Sequence, residues 1–217
     1  FDNATLNANV TNKGTVQVIG SPATFNGNFV NSGTFVSDPT TVHFATFQND
    51  ASGVVKAAPG DVYQVTGDFL NFSTQNTAWN TKGAILEFMG GTTHELRVNG
   101  ADLGAGPAGF DNNFAWGGLK IDSGDTLTLA GLDDAVFYAS AIIGADIVGN
   151  TVDNITGAFD IYYNAADAAN AYLGGLTYDL EGGGKLIAAA APEPATLFLA
   201  APALAVFLRR RRKSLKA

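Results

Sequence analysis

The chain contains no cysteine, which removes disulfides, thiol chemistry and cysteine-ligated zinc from its repertoire. Histidine is almost missing too. His43 and His94 stand alone, neither with a second imidazole at ligand spacing, so each reads as a satisfied strand or loop residue rather than a metal ligand or catalytic base. Basic side chains are scarce outside residues 209–216: residues 1–191 hold nineteen acids against six bases, a net charge of −13. Such a body is unsuited to nucleic acid or anionic lipid and compatible with divalent cations or a hydrated polysaccharide. Helix-period stretches are lacking, whereas glycine is abundant at 26 residues. Met89 is the only methionine, so Phe1 is not an initiator, and an export signal is expected to have been lost or removed ahead of it.

Catalytic motifs are incomplete wherever they begin. Ile121-Asp122-Ser123-Gly124 has the Asp-Ser-Gly of an aspartic protease but no second copy to supply the partner carboxylate, so it reads as a turn between strands. Gly182-Gly183-Gly184-Lys185 lacks the first glycine and the following hydroxyl of a phosphate loop, and no Gly-x-Ser-x-Gly elbow exposes a serine. Asp133-Asp134, and Asp122 with Asp125, offer oxygen ligands for calcium without the spacing of a calcium loop, and are expected to be solvated turn acids. No cofactor, metal or catalytic residue is assigned.

What the sequence does hold is a repeat. An apolar residue followed two positions later by asparagine recurs as Val10 and Asn12, Phe29 and Asn31, Phe47 and Asn49, Phe69 and Asn71, at spacings of 19, 18 and 22. Phe25 and Phe44 are also 19 apart. A period near twenty is that of a solenoid whose coils stack equivalent residues, with the apolar positions as an interior column and the asparagines as a turn ladder. Alternating runs such as Thr15-Val16-Gln17-Val18-Ile19 make the coils β. In repeat style these seventy residues resemble the β-helical coils of filamentous-haemagglutinin and autotransporter-type surface proteins. Beyond them the period fades. Strands are expected at 84–88, 95–98, 119–121, 126–129, 135–143, 158–163 and 175–180, with a helical turn at 167–173. The fold class expected is all-β: one elongated β-solenoid over residues 1–185, in preference to a solenoid plus a sandwich, then a flexible linker at 186–191.

Residues 192–217 differ from everything before them. Pro192-Glu193-Pro194 opens an uncharged run through Leu208, which ends at Arg209, Arg210, Arg211 and Arg212. Fifteen helical residues reach only ~22 Å, short of a hydrocarbon core of roughly 30 Å, and Pro202 weakens the helix further. The arginines are expected to stay cytoplasmic, which places the body across the membrane. An ordinary tail anchor is the plain alternative. These three ordered elements resemble the PEP-CTERM sorting signal of Gram-negative bacteria. That resemblance implies a membrane exosortase that recognises Pro192, Glu193 and Pro194 and processes the chain nearby. It implies Arg209, Arg210, Arg211 and Arg212 as the cytoplasmic stop, the inner membrane as a transient location, and an exopolysaccharide or biofilm setting. Proline disfavours helix at the residue before it, so the motif is presented extended, as processing sites require.

The expected function is therefore that of an exported surface or matrix protein, structural or adhesive, without enzymatic activity of its own. The alternative is a polysaccharide-degrading or polysaccharide-binding β-helix protein. The first would place Arg97 or Lys120 beside two carboxylates in one groove. The second would display Trp79, Trp116, Tyr162 and Tyr163 as an exposed row. Replacing His94 with glutamine is expected to leave stability nearly unchanged.

Overall fold

Val10, Phe29, Phe47 and Phe69 lie in register on successive parallel strands, so the repeat closes into stacked coils as its spacing requires. The computed structural model describes residues 3–190, which form an all-β solenoid of about eight turns. Within the column Phe29 stacks on Phe47 at 5.5 Å and Phe47 on Phe69 at 5.3 Å, and Phe25 stacks on Phe44 at 5.3 Å. Parallel coils in register put each ring directly over its equivalent, and the offset stack is a favourable geometry for aromatic pairs.

The asparagines form the expected ladder. Asn12 Nδ2 donates to Asn31 Oδ1 at 2.7 Å, Asn31 Nδ2 to Asn49 Oδ1 at 2.6 Å, and Asn49 Nδ2 to Asn71 Oδ1 at 3.4 Å. All four are buried. Each side chain is both donor and acceptor, so a vertical stack satisfies amides that would be costly to bury singly. At the corner after Asn31 a Cβ on Gly33 would lie 2.1 Å from the Gly14 carbonyl oxygen, which leaves room only for glycine.

Two faces run the length of the solenoid as one 17-stranded sheet; a third sheet holds only the strands Thr15–Ile19, Thr34–Asp38 and Val54–Ala57. In the second half Leu86 stands beside Leu119 and Leu119 beside Ile142, while Ile161 stands beside Leu186. The interior column therefore continues with aliphatic residues. The loop at residues 99–115 packs outside the solenoid, where Phe110 meets Tyr138 and Tyr138 stacks on Tyr162 at 4.7 Å. The expected turn at 167–173 is a 3-10 turn, Ala168–Leu173, capped by the Asp167 carboxylate accepting from the Ala169 amide.

The body runs further than the boundary at 185. Lys185–Ala189 is a strand paired with Asp160–Asn164, with Leu186 fully buried, so 186–189 belong to the last coil rather than to a linker. The small alanines read as spacer, but a strand whose neighbour is already in place needs only two inward side chains. The expected membrane segment at 192–217 lies outside the described residues. Among the described residues no helix is long and apolar enough to cross a membrane.

Candidate functional site

Stacking brings chemically active side chains together on the outer face of the longer sheet. His43, Gln64, Glu87 and Lys120 occupy equivalent positions on consecutive strands, each next to the one before. The Lys120 ammonium contacts Glu87 Oε1, lies 2.9 Å from Asp122 Oδ1, and Gln64 Nε2 donates to Glu87 Oε2 at 2.9 Å. Lys120 thus has two carboxylates, as the degradative alternative requires. Hydrogen bonds that the Lys120 ammonium donates to Glu87 and then to Asp122 outweigh burial and hold it more firmly protonated than usual. A lysine that serves as base or nucleophile needs the opposite shift. Arg97 is elsewhere, its guanidinium 4.4 Å from the centre of the Phe72 ring. Burial lowers the pKa of His43 at the other end of the row.

Behind the second face lies a pair not foreseen from the sequence. His94 and Asp125 have fully buried side chains with Nε2 and Oδ1 3.0 Å apart, and His94 Nδ1 lies 2.7 Å from the Gly67 carbonyl oxygen. A carbonyl only accepts, so Nδ1 carries a proton. A second proton must lie between Nε2 and Asp125, because two lone pairs at that distance repel. The arrangement is a buried hydrogen-bonded pair, and Phe88 covers it with ring centres 5.2 Å apart. Burial would raise the Asp125 carboxyl, but the His94 hydrogen bond and the Thr92 amide outweigh it and leave its pKa below the usual value. Among the described residues Asp125 Oδ2 has no hydrogen-bond partner.

The lowered carboxyl sets a pH dependence. Its stabilising contribution is complete above the ordinary carboxylate value of 3.8 and is lost as the pH falls through the lower folded value. Urea unfolding from neutral pH to about pH 2.5 is expected to bring wild type and Asp125→Asn together on the acid side. Parallel curves across that range would show that Asp125 does not titrate with folding.

Two clefts lie away from these groups. One of about 240 Å³ is lined by Thr77, Trp79, Asn80 and Thr81, with Lys82 and Asp111 bridged at 2.8 Å. The other, about 430 Å³, is lined by Asp102, Asp133, Asp134, Asp160 and Phe159. Neither includes Lys120. Among the described residues no group of three or more acids or histidines is arranged to hold a metal ion. Asp122 and Asp125, considered for calcium, are instead engaged with Lys120 and His94. The expected turn between them is present, the Asp125 amide donating to the Asp122 carbonyl at 3.1 Å. Trp79, Trp116, Tyr162 and Tyr163 are all buried, so they form no sugar-binding row. Trp79 and Trp116 fill the coils where the third sheet ends, Tyr163 lies in the core of a later coil, and Tyr162 stacks on Tyr138 under the loop at residues 99–115.

The sorting residues Pro192, Glu193, Pro194, Arg209, Arg210, Arg211 and Arg212 lie outside the described residues. No protein family, curated protein or solved structure matches the chain.

Proposed function

We propose that this protein is an exported structural or adhesion component of the cell surface or extracellular matrix, delivered through its tail by a membrane exosortase. The observation that carries this reading is the order Pro192-Glu193-Pro194, uncharged run, Arg209-Arg210-Arg211-Arg212. The body agrees with it. Its interior is filled by side chains, and its acidic surface suits a hydrated polysaccharide more than a polyanion. The tail holds the chain in the inner membrane with the arginines cytoplasmic, and processing near the motif frees the body.

The intact mass of the surface or secreted form tests this. In cells that carry the sorting enzyme the mature protein is expected to end well before Ala217. Glu193→Ala, or removal of residues 209–212, is expected to trap the full-length chain. A surface form still ending at Ala217 would leave an ordinary tail anchor as the better description. Polysaccharide degradation remains the second reading because Lys120 does sit between Glu87 and Asp122; loss of polysaccharide turnover in Lys120→Met is its signature.

A further inference from the structure

The cleft beside Trp79 is bounded by a strained segment. Asn112, Asn113 and Phe114 take left-handed backbone angles in succession, with φ of 57°, 53° and 57°. Asparagine tolerates that region, whereas phenylalanine enters it only when its surroundings impose it. Here they do. The buried Asn113 side chain donates to the Ala101 carbonyl at 3.0 Å and accepts from the Ala101 amide at 2.8 Å. Phe114 is buried edge-on against Trp79 at 5.2 Å, and the Ala115 amide closes the turn on the Asn112 carbonyl at 3.0 Å. Strain held in place in this way concentrates where a binding surface must keep its shape. What this turn fixes is one wall of the cleft, Asp111 and Asn112.

The floor is fixed as well. Trp79 Nε1 donates to Thr81 Oγ1 at 2.7 Å, and that hydroxyl donates onward to the Ala115 carbonyl at 2.6 Å. Above it the groups are polar and mixed in character. The Lys82 ammonium and the Asp111 carboxylate, 2.8 Å apart and each 61% exposed, set a donor beside an acceptor and cancel in charge. The exposed side chains of Thr77, Asn80 and Asn112 have no hydrogen-bond partner among the described residues, and each both donates and accepts. A ring of adjacent hydroxyls, donors and acceptors at once, matches that lining. An anion would find the one ammonium already neutralised, and would meet the acidic body besides. We propose that this cleft binds one uncharged pyranose unit of a polysaccharide. At about 240 Å³ it holds a single ring, with neighbouring hydroxyls seated on Lys82 and Asp111 and others on Asn80 and Asn112. This deepens the reading of the body as a matrix component, and rests on it for the source of the sugar.

The indole N–H resonances of the full chain, in a detergent without sugar headgroups, are the test. Trp79 and Trp116 are the two tryptophans, and the Trp79 indole donates to the floor of the cleft. Methyl α-glucoside, methyl α-galactoside and methyl α-mannoside are the probes, and at least one is expected to shift the Trp79 resonance saturably. Glucuronate is expected to shift it less. Asn112→Gly keeps the left-handed turn without strain and removes only the amide, so affinity is expected to fall about fivefold to tenfold with the fold intact. Lys82→Met, an exposed position, is expected to weaken binding similarly and serves if the first variant fails to fold. No saturable shift with any of the three glycosides overturns the proposal. So does a shift that both variants leave unchanged, or glucuronate binding more tightly than all three. Each of these results leaves sorting by the tail standing, because that is read from the mass of the surface form.

Discussion

Truncating Phe47 to alanine is expected to destabilise the body by about 3–5 kcal/mol, the range for removing a large aromatic side chain from a packed interior. Phe47 is fully buried, stacked between Phe29 and Phe69, with Phe44 edge-on at 4.8 Å. Neighbouring coils cannot collapse into the void, because their strands are held at the fixed spacing of the hydrogen-bond ladder. Phe72→Ala is the control: that ring is 40% exposed and touches Arg97, so its loss is expected to cost less than about 1 kcal/mol. Urea unfolding of both variants decides the matter. Equal losses would mean that the column does not carry the body's stability.

His94→Gln is expected to cost about 3 kcal/mol, although the sequence taken alone suggests almost none. Glutamine can offer an amide to Asp125 but has no second donor directed at the Gly67 carbonyl. The buried Gly67 carbonyl is then left without the partner it has now. His43→Gln serves as comparison and is expected to stay within about 0.5 kcal/mol, since His43 lies on the outer face and is only partly covered. A double-mutant cycle between His94 and Asp125 measures the pair directly; a coupling near zero would rule out a stabilising contact.

The first seventy residues were legible because their coils are of nearly equal length and each repeats the same two markers, an inward aromatic and an asparagine at the corner. Their β-solenoid, the interior column and the ladder follow from that spacing. The later coils hid theirs in a longer period. Leu86-Glu87-Phe88 recurs as Leu119-Lys120-Ile121, Gly91 as Gly124, Thr93 as Thr126 and Leu96 as Leu129, all 33 apart, and the strands pair at that offset. Reading the offset would have placed Glu87 beside Lys120. It would also have set His94 in the coil adjoining Asp125. The loop at residues 99–115 lengthens the coil and breaks the shorter rhythm, so a search for a period near twenty passes over it. The place of the tryptophans was hidden for a related reason. Where the third sheet ends, bulk inside replaces a missing strand, and composition alone cannot separate that use from an exposed binding row.

Every bond between coils in the asparagine ladder runs along the solenoid axis. Tension applied between the two ends therefore loads one coil at a time, opening its hydrogen bonds in sequence rather than shearing them together. A coil of 19 residues released in this way yields roughly 60 Å of slack. Stretched between two anchor points, the chain would behave as a stepwise shock absorber. It would give way by whole turns and recover them when the load falls.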